Sequence, residues 1–105
     1  MNFFEELKRG HFVIAECTKC HKVVWPPNDF CRFCFGEVSW RDVKEPGILV
    51  ECSAKDGKKF GIVEFEGTIR VIGTISDNSE ITPGKKMRVD QCGYDSTPRF
   101  TFSAA

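Results

Sequence analysis

Two pairs of closely spaced cysteines carry the clearest chemistry in this sequence. Two residues separate the cysteines within each pair, Cys17/Cys20 and Cys31/Cys34, and ten residues separate the pairs. Each CxxC turn brings two thiolates onto one metal ion, and two such turns complete a tetrahedron of four sulfurs. Four sulfurs leave no open position for a substrate water, so the pattern predicts one structural Zn²⁺ ion.

The spacing leaves the metal itself open. Iron in a rubredoxin-like site uses the same four thiolates, so a rubredoxin-like electron carrier is an alternative that a metal assay and an absorption spectrum would test. His21 follows Cys20 directly. Because four cysteines already complete the site, we expect His21 to be a loop residue. His11 lies outside the pattern and is expected within a strand.

Cys52 and Cys92 stand apart from the paired cysteines, each in a predicted strand. Cys52 shares the alternation of Ile48 and Val50, so we expect it to be buried, whereas Cys92 is out of step with Met87 and is expected to face outward. Neither residue has a local signature of an activated thiol, so no catalytic residue is predicted and their roles stay open.

The length and the charge of the chain limit the classes of protein to which it can belong. The chain has 105 residues, 15 basic and 15 acidic, which suits one or two small modules completed by a metal or a partner rather than a large enzyme. The absence of a basic excess weakens a nucleic-acid role. The sequence has no signal-like start and no apolar run of about 20 residues, so we expect a cytoplasmic protein without membrane contact. Thiols stay reduced there, which favours metal over disulfides.

Hydrophobic periodicity predicts a mainly β protein in three parts: a short N-terminal helix in residues 1–10, a four-cysteine rubredoxin-like zinc ribbon in 11–44, and a small five-stranded OB-fold barrel in 45–105. The helix places Phe3, Phe4 and Leu7 on one side. A polar connection from Asp77 to Lys86 links the third and fourth barrel strands, which is typical of a small Greek-key barrel.

Aromatic residues cluster around the cysteines, with Trp25-Pro26-Pro27 between the pairs and Phe30, Phe33 and Phe35 beside or within the second pair. They either seal the ribbon against the barrel and helix or form an apolar docking face, and the two interpretations can share residues. The residues predicted for a partner interface are Phe3, Phe4, Trp25, Phe30 and Phe33.

The order of these motifs resembles a known family. The segment Phe3–Gly10, the two CxxC pairs, Trp25-Pro26-Pro27 and the Gly47 that opens the barrel are similar to proteins in which a rubredoxin-like zinc ribbon is joined to an OB-fold and which accompany thiolases and related acyl-CoA enzymes. The resemblance extends to residues 62–67 and 83–87, so it covers nearly the whole chain.

The resemblance implies a non-catalytic subunit in a hetero-oligomer with a thiolase or a hydroxymethylglutaryl-CoA synthase-like protein, where it helps form the path for coenzyme A. Settings among relatives include acetoacetyl-CoA or hydroxymethylglutaryl-CoA synthesis, polyketide acylation and benzoylsuccinyl-CoA thiolysis. Only the four cysteine ligands carry over residue by residue. His21 departs from the pattern, because the family usually has glycine there, and Phe35-Gly36 replaces a more polar continuation.

Two expectations depend on the barrel. If it contacts coenzyme A, the cations expected to meet the phosphates are Lys58, Lys59, Arg70 and Arg99. The alternative function is a single-stranded nucleic-acid module, in which Phe60 and Phe65 would stack on bases.

Overall fold

The computed structural model describes residues 3–76 and 81–105. The chain begins with helix α1 (Phe3–Lys8). A small sheet follows, made of β1 (Val13–Cys17), β2 (Val23–Val24) and β3 (Val38–Asp42). Five strands complete the chain: β4 (Gly47–Lys55), β5 (Lys58–Phe65), β6 (Ile69–Ile75), β7 (Lys86–Asp95) and β8 (Thr97–Ala104). Part of the expected polar connection, residues 77–80, lies outside the described residues.

The last five strands close into a barrel in the order β4-β5-β6-β8-β7, and β4 pairs with β7 to complete the ring. All neighbours are antiparallel except β6 and β8, which run parallel. A parallel pair requires a long connection, and the chain supplies one between β6 and β7. The arrangement is the Greek-key barrel of an OB-fold, so the predicted fold class is confirmed.

The ribbon and the barrel share one hydrophobic core. Phe12, just before β1, has its ring centroid 5.6 Å from that of Phe65 and 4.9 Å from that of Phe100, both in the barrel. Helix α1 adds Phe3 and Leu7 to the same cluster. The short helix is therefore stabilised by tertiary packing, because six residues would not hold a helix in water by themselves.

A partly buried cluster of ion pairs also joins the ribbon to the barrel. Arg41 on β3 donates two hydrogen bonds to Glu66 in the β5–β6 turn, at 2.7 and 3.0 Å, and a third to Glu16 on β1 at 3.0 Å. The Lys44 backbone N–H donates to the same Glu66 carboxylate at 3.0 Å. Burial opposes ionisation of Glu66, but these donors outweigh it and lower its pKa. Together they fix the ribbon sheet to the β5–β6 end of the barrel.

The predicted alternation of β4 was wrong. Gly47 and Leu49 face the core, whereas Ile48 is 41% exposed. A Cβ atom on Gly47 would lie 2.6 Å from Val63 Cγ1, so the core reaches the β4 backbone at this position and leaves no room for a side chain. A β-bulge between Leu49 and Glu51 then changes the register, which shifts the phase of every later residue.

The two remaining cysteines also differ from prediction. Cys52 is exposed rather than buried, with Sγ 3.7 Å from the carbonyl oxygen of Ile81. Cys92 is half-buried against the core rather than outward-facing, because a second bulge between Val89 and Gln91 alters the phase of β7. Burial raises the pKa of the Cys92 thiol.

His11 lies ahead of β1 rather than within a strand, and it connects three elements. Its Nδ1 lies 2.9 Å from Glu6 Oε2 on α1, and its Nε2 contacts Asp42 Oδ1 at the end of β3. The hydrogen bond to Glu6, followed by that to Asp42, raises the pKa of His11. Arg9 also approaches Glu6, at 3.5 Å.

This arrangement predicts a pH-dependent contribution to stability. Because the folded-state pKa of His11 is above its ordinary value of 6.5, the contribution is fully present below pH 6.5 and is lost as the pH rises through the folded-state pKa. With a neutral imidazole, Glu6 and Asp42 lose their shared cation. We expect the urea midpoint of the zinc-loaded protein to fall between pH 6 and pH 9, and His11→Gln to remove most of that fall. An equal fall in the variant would contradict the assignment.

Candidate metal centre and aromatic surface

The four cysteines of the two CxxC pairs converge at one end of the ribbon sheet. Their sulfurs all lie within 4.8 Å of one another, with Cys17 to Cys34 at 3.3 Å and Cys20 to Cys31 at 3.7 Å. Zn–S bonds of about 2.3 Å in a tetrahedron place the sulfurs roughly 3.8 Å apart. The donor set and spacing therefore fit one structural zinc ion, as predicted from the sequence.

Backbone geometry prepares the thiolates for the metal. The N–H groups of Cys20 and Lys19 each lie 3.4 Å from Cys17 Sγ, and the Phe33 N–H lies at the same distance from Cys31 Sγ. The Cys20 N–H, and then the Lys19 N–H, lower the pKa of Cys17 to about 6. Backbone donors, first that of Cys34, lower the pKa of Cys31 as well. The Lys22 N–H opposes the change at Cys20, but burial and the neighbouring thiols outweigh it and raise the pKa of Cys20 to about 11. Because zinc binds thiolates, Cys17 and Cys31 are therefore the ligands prepared for loading near neutral pH.

Each CxxC turn closes with a residue in the left-handed region. His21 has φ 61° and donates its N–H to the Cys17 carbonyl at 3.0 Å, and Phe35 has φ 58° and donates to the Cys31 carbonyl at 2.9 Å. These equivalent positions explain the glycine that the resembling family usually has after the second cysteine, since glycine adopts positive φ without strain. His21 is exposed in a loop, as predicted.

Gly36 follows Phe35, and a side chain at this position would be crowded by its neighbours. A Cβ atom there would lie 3.2 Å from Cys17 Sγ and 3.1 Å from Lys19 Cδ, so a side chain would press on a metal ligand. The Phe35-Gly36 pair, which departs from the family pattern, is therefore compatible with the metal site.

Three basic residues belong to the metal-binding turns or follow them closely. Lys19 and Arg32 lie within the CxxC pairs, and Lys22 lies two residues after the first pair. The Lys22 Nζ lies 4.4 Å from the Phe33 ring centroid, and Arg32 Nη2 donates to the Trp25 carbonyl at 2.7 Å. Four thiolates and one Zn²⁺ carry a net charge of about −2, so positive charge on these turns favours the loaded site.

The predicted interface residues divide into buried and exposed groups. Phe3 is 3% exposed, and its ring lies 5.9 Å from the half-buried Trp25, so both contribute to packing. Phe4 is 49% exposed on α1. The second CxxC turn and its flanks carry three exposed aromatic side chains, here called the knuckle phenylalanines: Phe30 at 55%, Phe33 at 63% and Phe35 at 80%.

The barrel cations expected to meet coenzyme A do not form one cluster. Lys58 and Lys59 lie at the β4–β5 turn, where Lys59 faces Ile75 in the β5–β6 ladder. Arg70 pairs with Glu64, which lies five residues after Lys59 on β5. At the rise of a β-strand, this separates Arg70 from the Lys59 position by roughly 17 Å. Arg99 on β8 lies toward the Arg70 end, because Thr101 is level with Thr74.

Phe60 and Phe65, the residues expected to stack on nucleic-acid bases, differ in their exposure. Phe65 is fully buried in the shared core, whereas Phe60 is 37% exposed. A base therefore has access to only one of the two rings.

A comparison with protein-family models matches residues 4–39 to the ChsH2 rubredoxin-like zinc ribbon domain. The match covers about a third of the chain, so residues 4–39 are similar to a ChsH2-type zinc ribbon. The match spans α1, β1, β2, all four cysteine ligands and the start of β3. A comparison with curated proteins finds no match.

Solved structures extend the likeness beyond the ChsH2-type ribbon to the whole chain. A structure described as the Ltp2-ChsH2(DUF35) aldolase superposes with a TM-score of 0.77 at 16% identity, covering 97% of this chain and 91% of that one. A DUF35-family protein of unknown function from Sulfolobus solfataricus gives a TM-score of 0.65 at 16% identity, covering 94% and 81%. At this identity the two structures establish a shared fold of ribbon and barrel.

Two features of the structure are not predicted from the sequence. The Glu6–His11–Asp42 contact joins residues up to 36 positions apart and has no local pattern. The positive φ of Phe35 is the second feature, and its place directly after a CxxC pair, matching that of His21, is the indication of it that the sequence contains.

We expect one zinc ion per chain, held by the four predicted cysteines. Cys17→Ala should abolish stoichiometric zinc because three sulfurs leave the tetrahedron open, whereas Cys52→Ala should retain it. Mass spectrometric metal analysis and the cobalt-substituted absorption spectrum measure both. Zinc retained in the Cys17 variant, or a rubredoxin-like iron spectrum, would contradict the assignment.

Phe35→Gly should stabilise the isolated zinc-loaded chain. The substitution relieves a left-handed bulky residue, worth roughly 1 kcal/mol, and loses little packing because the side chain is 80% exposed. Urea denaturation measures the change, with Phe33→Gly as a control at an exposed aromatic without positive φ. A destabilised Phe35 variant would show that the ring packs on the folded chain.

Proposed function

We propose that this protein is a non-catalytic accessory subunit of a thiolase-type acyl-CoA enzyme complex, in which it scaffolds a larger partner and helps form the coenzyme A path. The observation that carries the proposal is the likeness over 97% of the chain to a structure described as an aldolase of Ltp2 and ChsH2. The thiolase or hydroxymethylglutaryl-CoA synthase-like class of partner comes from the sequence resemblance.

The chemistry of the described residues supports an accessory role. The thiols with lowered pKa are metal ligands, and closed four-sulfur sites do not activate water. Cys92 has a raised pKa, which is the opposite of what a nucleophile requires. None of the helical segments within residues 3–76 and 81–105 has the length and apolar character needed to span a bilayer.

The knuckle phenylalanines supply the surface for the partner. Exposed aromatic side chains on a turn held rigid by a metal lose little conformational entropy on binding. The left-handed backbone at Phe35 closes the second CxxC turn, but the side chain contributes little to the fold, because it is 80% exposed. A bulky aromatic where glycine would be unstrained supports a binding role for the side chain.

The coenzyme A path is the finer part of the proposal. Of the four predicted cations, Arg70 and Arg99 lie at the barrel end that also presents Phe4 and Trp25. Lys58 and Lys59 lie at the other end, so a single phosphate group would meet one pair or the other.

Co-expression tests this function directly. We expect the chain to form a stable complex with a thiolase or hydroxymethylglutaryl-CoA synthase-like protein encoded in the same genome, and to have no acyl-CoA thiolysis activity alone. Phe33→Ala and Phe35→Ala should each weaken the complex at least tenfold in Kd, because aromatic anchors dominate interfaces. Phe60→Ala, on the barrel, serves as the matched control and should change Kd less than twofold.

Size-exclusion chromatography and calorimetry measure complex formation and Kd. A chain that stays monomeric with every such protein of its genome would overturn the function. Equal losses for the knuckle variants and the Phe60 variant would overturn the assigned surface.

A further inference from the structure

The barrel has an open seam between β6 and β8. These strands pair only at Thr74 with Thr101 and Ile75 with Phe102. The preceding part of β6 pairs with β5 along its full length, from Ile69 to Gly73, but no pairing joins it to β8. The barrel is therefore closed by two residues at this position, and the rest of β6 is an edge strand.

Some backbone N–H and C=O groups of β6 point away from β5 and toward the seam. In an antiparallel ladder, alternate residues direct both N–H and C=O away from the paired strand. On β6 those groups face the seam, and within the part of the chain that the structure describes the backbone of residues 69–72 pairs with β5 and with no other segment. Unpaired edge groups of this kind bind the backbone of an extended chain.

The seam is a groove rather than a closed contact. Its volume is about 400 Å³, and β6 contributes Arg70, Val71 and Ile72 to one wall while β8 contributes Pro98 and Phe100 to the other. The remaining walls come from α1 and the ribbon: Phe3, Phe4, Trp25 and Pro27. Ile72 is 67% exposed, an unusual exposure for an isoleucine in mid-strand.

Gly73 marks where β6 and β8 meet, and Pro98 lies on the open side of that point. Gly73 lies so near β8 that an added Cβ would be 2.5 Å from the Phe100 carbonyl oxygen, which marks the point where the strands meet. Beyond it, Pro98 has no N–H to donate to β6. The position of the groove is therefore set by the backbone of β6 and β8.

We propose that this β6 edge accepts an extended segment of the partner subunit as an added strand, with an apolar side chain over Ile72 and an acidic side chain at the rim. A cationic side chain in the groove favours this occupant. Arg70 lines the groove, is 61% exposed and pairs with Glu64 at 3.0 Å, a surface ion pair weak enough for an acidic side chain of the partner to compete with it. The inference rests on the proposed function, because it assigns a second contact, separate from the knuckle phenylalanines, to the same partner.

Amide hydrogen exchange on the complex tests the added strand. In the purified complex, amides within residues 69–73 that do not bond to β5 should exchange at least tenfold more slowly than in the free chain. Ile72→Lys should raise the Kd of the complex at least tenfold, because a lysine on a strand edge opposes strand addition. Ile48→Lys, at another exposed barrel isoleucine outside the groove, should change Kd less than twofold. Circular dichroism verifies that both variants fold.

The outcomes separate this inference from the proposed function. A complex that forms with unchanged exchange in residues 69–73, or that tolerates Ile72→Lys as well as Ile48→Lys, overturns the added strand and leaves the accessory role standing. The absence of any complex overturns both. Slowed exchange in the chain alone, with a dimer in analytical ultracentrifugation, assigns the edge to a second copy and also overturns the proposal.

Discussion

The ribbon depends on the bond between one metal ion and four thiolates. The second hydrophobic cluster of the protein contains only four buried residues, Ala15, Cys17, Val24 and Cys31, and two of them are metal ligands. The β2 strand has two residues, too few to hold the segment between the CxxC pairs. A structural zinc site contributes roughly 10–16 kcal/mol of apparent binding energy, which replaces the core that this segment lacks. The barrel, by contrast, has a conventional apolar core.

The metal also changes the electrostatics of the molecule. The formal net charge of the chain is zero with neutral thiols, and the loaded site lowers it by about two units. Nucleic-acid binding relies on cations that displace counterions from phosphates, so the loaded protein is less suited to it than its composition alone indicates. The basic residues near the metal have a local role, because they balance the thiolates. The burial of Phe65 removes a stacking surface as well.

What the sequence could predict depended on the range of the interaction involved. The CxxC pairs are local, so two cysteines three positions apart in the chain already define two ligands of a tetrahedron, and the structure confirms the site. The Greek-key barrel class followed from five strands and one long connection, whereas the order of the strands in the ring is a finding of the structure. The predicted strand phase failed at Cys92 because the β7 bulge inserts one unpaired residue, a feature that a strict alternation does not contain. In β4 the phase already failed at Ile48, before the bulge of that strand, because Gly47 and Leu49 face the core. The β6–β8 seam depends on where two distant strands diverge, which no periodicity encodes.

A single hydrogen bond connects the metal centre to the seam. Arg32 lies between two ligands of the second CxxC turn, and its guanidinium donates to the carbonyl of Trp25, whose side chain lines the groove beside β6. Trp25 also packs on Phe3, which joins α1 to the shared core. The metal-bound turn and one wall of the groove are therefore linked through Arg32 and Trp25. The β6 edge itself is held by its ladder with β5 and by the barrel core, so the two proposed contact surfaces rest on different interactions.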